Sequence, residues 1–348
     1  MLSFPAEAVE LLLGWYDRYA RDLPWRHTKD PYAIWVSEIM LQQTRAETVK
    51  PYFARFMNAL PTLRHLAEAD EEVLTKLWEG LGYYSRVRNL QKAAKIVMAE
   101  HGGVLPADYQ KLLSLPGIGP YTAGAVASIA YDIPVPAVDG NVLRVVARLT
   151  GDIRDVLLDT TKKAIERSVA PHVPTPRAGD FNQSLIELGA VVCLPGKEAK
   201  CHDCPLQLLC CGYREGLVEG LPVRIPKVKR RVDYLTVLKL RVGDKIVLRR
   251  RSIGGLLGGL YELPHSSGHL SEDDVIHMLG KMGIKVESVT PLPPAKHIFT
   301  HIDWLMVGYE CVLDPQTDCA LLMGGILATE TEMREKYTIP SAFGAYVK

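Results

Sequence analysis

The ten residues from Leu115 to Gly124, LPGIGPYTAG, constrain the fold of this chain more than any other stretch. Gly117 and Gly119 allow the backbone to turn sharply, and they leave amide N–H groups that no side chain covers. The helix that we predict from about Tyr121 directs its positive N-terminal end to the same point. The pattern predicts a helical hairpin that binds an anion, most simply a nucleic-acid phosphate. An ordinary tight turn between helices is the alternative, and the LPGxG pattern alone does not separate the two.

A lone carboxylate, Asp139, follows this hairpin about twenty residues later, in the segment Val138-Asp-Gly-Asn141. A run of apolar, helix-like sequence separates the two features. Asp is a favoured N-cap residue, so the start of a helix explains Asp139 by itself. We therefore predict a helix that begins at Asp139, and the residues alone leave a chemical role for its carboxylate open.

Composition limits how this chain can reach a partner. The chain has 348 residues, of which 47% are hydrophobic, and this allows one large core or two moderate ones. The net charge is +1, so binding to nucleic acid would depend on local patches and directed amides. No run of eighteen apolar residues occurs, and Met1–Glu10 lacks a basic region followed by an apolar one. We expect a soluble protein that is not secreted and does not contact a membrane.

Apolar residues recur at helical spacing through the first part of the chain, up to about residue 212. The predicted helical stretches are Val9–Leu13, Ile34–Leu41, Leu90–Val97 and Leu185–Val192. The predicted helix boundaries are at Pro31, Pro51, Pro61 and Pro106. No segment here predicts a strand, so we expect a mainly α N-terminal domain.

The pattern changes after a linker, which we place at residues 217–231 and which contains Pro222, Pro226 and a basic run. That run consists of Lys227, Lys229, Arg230 and Arg231. The sequence then predicts a hairpin of two strands around Gly243-Asp244, and a further strand at Trp304–Val312. A helix is predicted around Glu272–Lys281. The C-terminal domain is therefore expected to be α+β.

Five of the seven cysteines lie close together, at Cys193, Cys201, Cys204, Cys210 and Cys211. The first four could bind either a tetrahedral zinc ion or a [4Fe–4S] cluster. Zinc sites usually contain two CxxC pairs and this segment has one, so the spacing favours the cluster over zinc. Cys211 leaves the identity of the fourth ligand ambiguous. A redox centre for electron transfer has the same spacing, but no flavin or nicotinamide fingerprint accompanies it.

Three further motifs carry a resemblance to a known family: Leu23-Pro-Trp-Arg26, Trp35-Val-Ser-Glu-Ile-Met-Leu-Gln-Gln-Thr44 and Gly80-Leu-Gly-Tyr-Tyr-Ser-Arg-Val-Arg88. With the hairpin, the Val138–Asn141 segment and the cysteine loop, they make the chain resemble the adenine DNA glycosylases, the MutY family of the endonuclease III superfamily. The resemblance runs over nearly the whole length. One departure is the first gap of the cysteine motif, which has seven residues where the family has six.

The resemblance implies three segments. Residues 1–216 would form a helix-hairpin-helix glycosylase domain whose loop at 193–211 holds a [4Fe–4S] cluster. Residues 217–231 would be the linker, and residues 232–348 a Nudix-like domain that recognises 8-oxoguanine. The cluster ligands implied are Cys193, Cys201, Cys204 and Cys210.

Breaking an N-glycosidic bond requires an acid that protonates the departing base and an anion beneath the sugar. Glu38 lies between apolar residues on a predicted helix, and burial would raise its pKa and suit it to protonate adenine N7. A solvated carboxylate on a helix face is the alternative. By resemblance, Asp139 stabilises the oxocarbenium-like sugar, Asn141 orients Asp139, and Tyr121 lines the same pocket.

Tyr121 also bears on whether the protein cleaves the DNA strand. In members of this superfamily that also cleave the strand, a lysine that forms a Schiff base occupies this position. Tyr121 has no amine, so the resemblance implies a monofunctional glycosylase that leaves an abasic site.

The resemblance also implies which residues contact DNA. Gln42, Gln43 and Tyr83 would lie at the base stack from which the target base is extruded, whereas we expect Tyr84 to be a core residue. The adenine pocket would be lined by Trp25 and Arg26, and the phosphate hairpin would use Gly117 and Gly119.

The Nudix-like domain is expected to read DNA without being a second enzyme, because the helix at Asp273–Lys281 lacks the Arg-Glu pair and the clustered glutamates of a Nudix box. The family reads 8-oxoguanine with a Phe-Ser-His motif. Here the motif is Phe299-Thr300-His301, and Thr300 keeps the hydroxyl group.

The implied function is removal of adenine opposite 8-oxoguanine or guanine from double-stranded DNA, by a monomer. The location would be the bacterial cytoplasm at the nucleoid, or the nucleus in a eukaryote. One alternative is an oxidised-pyrimidine glycosylase and lyase like endonuclease III, which Tyr121 and the second domain disfavour. Another is a non-catalytic iron–sulfur protein that binds DNA, which the presence of both Glu38 and Asp139 disfavours.

Overall fold

The computed structural model describes residues 3–225, 230–317 and 324–347, so Lys227 and Lys229 of the predicted basic run lie outside the described residues. The chain forms two compact units. One comprises the described residues within Met1–Ala69 and Arg86–Pro226, and the other those within Asp70–Ser85 and Lys227–Lys348. Among the described residues, no helix is long and apolar enough to cross a membrane.

The first unit is helical, and no strand occurs among its described residues, as predicted. Its α-helices are α1 (Ala8–Tyr19), α2 (Pro31–Leu41), α3 (Ala46–Ala59), α4 (Leu63–Glu68), α6 (Ser85–Glu100), α7 (Tyr109–Leu113), α8 (Pro120–Tyr131), α9 (Gly140–Thr150), α10 (Asp159–Val169), α11 (Ala178–Val191) and α12 (Cys211–Arg214). Short 3-10 helices lie at Pro24–Arg26, Ala170–His172, Gly196–Glu198, Cys201–Asp203 and Gln207–Leu209.

The predicted helical stretches fall within α1, α2, α6 and α11, except that Val192 lies one residue beyond the end of α11. Pro31 begins α2, and Pro61 and Pro106 lie between helices, as expected. The predicted boundary at Pro51 is wrong, because this proline lies inside α3. It sits in the second turn, where its missing N–H removes only the bond to the carbonyl of Glu47.

The core around α9 fixes the position of Asp139. Leu12 of α1, Val146 of α9 and Phe181 and Leu185 of α11 are completely buried in one hydrophobic cluster. Asp139 is the N-cap of α9, so the predicted helix start is confirmed. The carboxylate therefore stands at the start of a helix that is packed into the core of this unit.

The second unit contains a mixed sheet. Its elements are α5 (Glu71–Leu77), β1 (Arg231–Val242), β2 (Lys245–Arg250), β3 (Tyr261–Glu262), β4 (His265–Ser267), α13 (Glu272–Lys281), β5 (Val286–Ile298), β6 (Ile302–Leu313), β7 (Ile326–Thr329), α14 (Glu330–Glu335) and α15 (Gly344–Val347), with a 3-10 helix at Ser341–Phe343. The order is β3-β2-β1-β6-β5, with β4 paired to β1 and β7 to β2. Among the described strands, β1 and β6 run parallel and the other pairs are antiparallel.

Both faces of this sheet are covered. On one face, Val275 and Leu279 of α13 pack with Leu238 and Leu240 of β1 in one hydrophobic cluster. A second cluster, on the other face, contains Trp304, Phe343 and Tyr346. The predicted hairpin, the strand at Trp304–Val312 and the helix at Glu272–Lys281 are confirmed.

Strand β5 was not predicted, because Pro291, Pro293 and Pro294 lie within it. Its place at the end of the strand order explains how the prolines are accommodated, since an edge strand has one side free of ladder hydrogen bonds. The register shifts between Leu292 and Ala295, which places a bulge at the proline pair.

Candidate active site

Glu38 is a carboxylate inside the first unit. It lies on α2, which Asp30 caps by accepting hydrogen bonds from the amides of Tyr32 and Ala33. The Glu38 residue is only 6% exposed, so its predicted burial is confirmed. The pKa of Glu38 is raised to about 7, mainly by burial; a hydrogen bond from Tyr121 and the charge of Arg26 oppose this rise, and the charge of nearby Asp139 adds to it. Glu38 therefore holds a proton at a pH where an exposed glutamate does not.

Asp139 has a different environment. Its Oδ1 accepts hydrogen bonds from the amides of Asn141 and Val142, both at 2.8 Å, and its Oδ2 accepts one from Asn141 Nδ2 at 2.8 Å. Burial raises the pKa of Asp139 above its usual range, and these three hydrogen bonds and the charge of Arg144 limit the rise. Each of the three bonds favours the ionised form.

The two carboxylates thus differ in how their ionised forms are stabilised, and this difference suits one to act as an acid and the other as an anion. Glu38 accepts one hydrogen bond, from the Tyr121 hydroxyl, whose oxygen lies 2.5 Å from Glu38 Oε2. Asp139 accepts three, including two from the backbone at the start of α9. Because fewer donors stabilise its charge, Glu38 is the group that carries a proton more readily, and Asp139 is the group that stays charged.

The helical hairpin consists of α7, the turn that follows it, and α8. Gly117 has φ +76°, and a Cβ there would lie 2.7 Å from Asn89 Cβ, so this position requires glycine. Gly119, the N-cap of α8, has φ −92° and ψ 178°. The expectation that Gly119 is needed for a sharp turn is wrong, because this conformation is open to any residue. A Cβ on Gly119 would meet no atom within 4 Å, so the space around this residue is open.

Arg26 and Trp25 occupy a 3-10 helix in the first unit. Trp25 is buried, and its ring meets that of Phe53 edge-on at 5.6 Å. Arg26 Nη2 donates to Glu187 Oε2 at 2.9 Å, and Arg21 Nε donates to Glu187 Oε1 at 2.7 Å. Burial alone would raise the pKa of Glu187, but the bonds from the two arginines outweigh it and lower the pKa to about 2.

Gln42 and Gln43 end α2. Gln42 Nε2 donates to Thr122 Oγ1 at 3.4 Å, and Gln43 takes the left-handed φ of +59°. Arg86 Nη1 donates to the carbonyls of Ile39 and Gln42, at 2.8 and 2.7 Å. This guanidinium satisfies carbonyl groups that the end of a helix leaves without partners, and so it fixes the two glutamines.

The cysteine segment lines a small cavity of about 30 Å³. Cys193, Cys201, Cys204 and Cys210 line it together with Arg148. Cys211 does not line this cavity, and its thiol instead donates to Glu215 Oε1 at 3.1 Å. Cys210 is therefore the better placed of the two adjacent cysteines.

Within the described ranges, no three His, Cys, Asp or Glu side chains are placed to hold one metal ion. The four cysteines that line this cavity nevertheless have the number and the kind of donor atoms that a [4Fe–4S] cluster requires.

Two arginines of α9 lie between this cavity and Asp139. Arg148, 2% exposed, donates through Nη1 to Cys193 Sγ at 3.3 Å. Arg144 donates through Nε to the Cys193 carbonyl and through Nη2 to Asn141 Oδ1, both at 2.8 Å. A continuous series of hydrogen bonds thus runs from Asp139 through Asn141 and Arg144 to Cys193.

The remaining predicted site residues lie in the second unit. Phe299, Thr300 and His301 connect β5 to β6, and the Phe299 amide donates to the Ile302 carbonyl at 2.8 Å. The Phe299 ring packs on Trp304 at 4.9 Å, and Thr300 and His301 are exposed. Tyr83 Oη and Thr300 Oγ1 are 2.7 Å apart. Tyr83 is 49% exposed at a left-handed φ of +47°, whereas Tyr84 is buried, as expected.

Sequence reasoning missed Glu187, Arg86, Arg144 and Arg148. Arg144 and Arg148 were detectable, because two arginines four residues apart within the apolar helix α9 require buried partners. Glu187 gave no comparable signal, since its arginine partners are 161 and 166 residues away.

Two family models match the chain. One, described as "HhH-GPD superfamily base excision DNA repair protein", matches residues 36–171, and a NUDIX domain model matches residues 236–348. The first match contains both Glu38 and Asp139, and the second covers nearly all of the mixed sheet.

The chain is also similar to proteins named adenine DNA glycosylase. It is 36% identical to that of Rattus norvegicus over 90% of this chain and 72% of the rat protein. It is 33% identical to that of Buchnera aphidicola subsp. Baizongia pistaciae, over 84% and 82% of the respective chains. It is 37% identical to that of Arabidopsis thaliana over 84% of this chain, which spans 55% of the plant protein's length.

Solved structures resemble the helical part. A thermostable thymine-DNA glycosylase matches with a TM-score of 0.55 and 30% identity, over 60% of this chain and 96% of its own. Endonuclease III in a non-covalent complex with DNA matches with a TM-score of 0.52 over 62% of this chain and 99% of its own. At 23% identity, the second likeness concerns the fold alone.

Proposed function

Because this chain belongs to the adenine DNA glycosylase family, we propose that it removes adenine placed opposite 8-oxoguanine or guanine in double-stranded DNA. The observation that carries the proposal is the pair of carboxylates in one unit: buried Glu38 has a pKa raised to about 7, and half-buried Asp139 accepts three hydrogen bonds. This pair supplies the acid and the anion that cleavage of an N-glycosidic bond requires.

The reaction breaks the bond between C1′ of the sugar and N9 of adenine. Protonated Glu38 donates its proton to N7 of the extruded base, which then leaves with the electron pair of the broken bond. The sugar gains oxocarbenium character, and ionised Asp139 stabilises it until water adds at C1′. The products are free adenine and an abasic site.

Tyr121 assists the acid and excludes a second activity. Its hydroxyl donates to Glu38 Oε2, which stabilises the carboxylate that remains after the proton has moved. No amine stands at this position, so formation of a Schiff base with C1′ is not expected. We therefore expect base release without strand cleavage.

The adenine pocket would use Trp25 and Arg26. Glu187 holds Arg26 in place through a 2.9 Å ion pair, and its side chain is completely buried. The charge of Arg26 is thus neutralised before a base binds. The edge of the Arg26 guanidinium and the Trp25 ring then shape the pocket.

The cysteine cavity would hold a [4Fe–4S] cluster through Cys193, Cys201, Cys204 and Cys210. In support, these four thiols line one cavity, and the described side chains form no site for a single ion. Such a cluster would cross-link the loop through its four thiolates when bound. Arg148 donates a hydrogen bond to one of the four sulfurs.

Phe299, Thr300 and His301 are proposed to recognise the base opposite adenine. The Phe299 ring, packed on Trp304, anchors a tight turn that presents Thr300 and His301 to solvent. Tyr83 faces the Thr300 hydroxyl at 2.7 Å, which joins a residue proposed for the base stack to one proposed for recognition. We further propose that the protein acts as a monomer on DNA.

A single-turnover assay tests the proposal. The duplexes would carry adenine opposite 8-oxoguanine, adenine opposite guanine, or thymine glycol opposite adenine, and each reaction would be split with and without alkali. Adenine release that requires alkali for strand scission is the expected result. Strand cleavage of the thymine glycol duplex without alkali would favour an activity like that of endonuclease III, and binding without any base release would favour a non-catalytic protein.

A further inference from the structure

The segment from Leu221 to Ile225, within the predicted linker, is fixed to the first unit. Arg148 Nε donates to the Leu221 carbonyl at 2.9 Å. The Val156 amide donates to the Val223 carbonyl at 3.0 Å, and the Ile225 amide donates to Asp155 Oδ1 at 3.4 Å. Leu221 is buried. These bonds lie on both sides of Arg224, so its backbone has a defined position.

Arg224 extends toward the start of α9. A Cβ built on Gly140 would lie 4.0 Å from Arg224 Nη2, and Gly140 directly follows Asp139. Arg224 is exposed. Over the ranges that the structure describes, its guanidinium has no ion-pair or hydrogen-bond partner. The oxygens of Asp139 are already bonded to Asn141 and Val142.

The charge of the Arg224 guanidinium must be neutralised by an anion during the reaction. Positive charge develops on the sugar next to Asp139, and an unneutralised guanidinium nearby would oppose it. Exposed arginines next to a nucleic-acid site most often bind phosphate oxygens, to which the guanidinium fork is suited. The phosphates on either side of the target nucleotide are the anions that lie nearest its sugar.

We propose that Arg224 binds a backbone phosphate that flanks the target adenosine and thereby positions its sugar over Asp139. The inference rests on the proposed function, and it adds a positioning residue from outside the helical motifs.

The test removes one charge from the protein and one charge from the DNA. The variants are Arg224→Gln and Arg224→Lys, with Arg64→Gln as a matched control, since Arg64 is an exposed arginine on α4. The duplexes are either unmodified or carry a single methylphosphonate, which removes the charge of one phosphate. The methylphosphonate stands on the 5′ side of the target adenosine, on its 3′ side, or at a remote position. Binding is measured with a 2′-fluoro adenosine that resists cleavage, and adenine release with the normal nucleotide.

The wild type should lose about tenfold in affinity with the methylphosphonate on one flanking side. Arg224→Gln should lose about tenfold on unmodified DNA, should lose nothing more from that same methylphosphonate, and should show a salt slope smaller by about 0.9. Its rate of adenine release should fall at saturating enzyme, because the sugar is misplaced. Arg224→Lys should recover most of the affinity, and Arg64→Gln should match the wild type.

Two results would overturn the inference. One is an Arg224→Gln variant that binds and reacts as the wild type does; the other is a variant that still loses affinity at the same flanking methylphosphonate. If the wild type released no adenine from unmodified DNA, the proposed function would fail. The binding measurements would still decide whether Arg224 contacts a phosphate.

Discussion

Tyr121 donates a 2.5 Å hydrogen bond to Glu38 across 83 residues of sequence, and it joins the first turn of α8 to the middle of α2. The bond opposes the effect of burial on the Glu38 pKa. Burial makes the acid available near neutral pH, and the phenol limits how weak an acid it becomes.

Replacing Tyr121 with phenylalanine should therefore raise the pKa of Glu38 above its present value of about 7. A hydrogen bond to a charged group contributes about 1.5–3 kcal/mol, which corresponds to a pKa rise of about 1–2. Activity that requires protonated Glu38 falls as pH rises through this pKa, so the alkaline limb of the pH–rate profile should move upward in Tyr121→Phe. The single-turnover rate between pH 6 and pH 9 measures this shift. An unmoved limb in a folded variant would show that Glu38 is not the titrating acid.

Replacing Glu38 with glutamine should separate its chemistry from its effect on stability. Adenine release should fall by about 10²–10⁴-fold, because the proton donor is lost. The pKa of Glu38 is raised from 4.5 to about 7, so between these pH values the folded state keeps a proton that the unfolded state releases. The wild type therefore loses stability as pH rises through this window, on the order of 3 kcal/mol from this group.

Urea unfolding of wild type and Glu38→Gln at pH 5 and pH 8 measures that effect. The free energy of unfolding of the variant minus that of the wild type should be larger at pH 8 than at pH 5. Glu68→Gln, which changes an exposed glutamate of α4, is the matched control and should show no such dependence. An equal difference at both pH values would mean that Glu38 does not hold its proton in the folded protein.

Replacing Asp139 with asparagine should remove the charge and keep the helix cap. Asparagine caps helices about as well as aspartate, so Asp139→Asn should keep the two backbone bonds of the cap. It loses only the bond from Asn141 Nδ2, because the amide nitrogen of asparagine cannot accept it. Asp139→Ala loses the cap and should cost about 1 kcal/mol or more. Both should lose adenine release, because the anion beneath the sugar is gone, while the affinity for DNA persists. Full activity in Asp139→Asn would remove Asp139 from the mechanism.

Local sequence was sufficient for some of these features. Apolar neighbours on one helical segment predicted that Glu38 is buried, and the Val-Asp-Gly-Asn turn predicted that Asp139 begins a helix. The pairing of Arg26 with Glu187 was not predictable, because it depends on how α11 packs beside the 3-10 helix at Pro24–Arg26. Strand β5 escaped prediction for a related reason: its prolines disfavour a strand locally, and its place at the sheet edge is a property of the whole fold.

The adjacent cysteines offer the sharpest test of the cofactor. Cys210 lines the cavity with three other cysteines, whereas Cys211 donates to Glu215 and does not line it. Cys210→Ser should therefore reduce the iron bound per chain, and Cys211→Ser should leave it unchanged. Iron content, sulfide content and visible absorbance of the purified variants measure this directly, with no reference to activity. Equal iron loss in both variants, or greater loss in Cys211→Ser, would assign the fourth ligand to Cys211 and require the loop to rearrange around it.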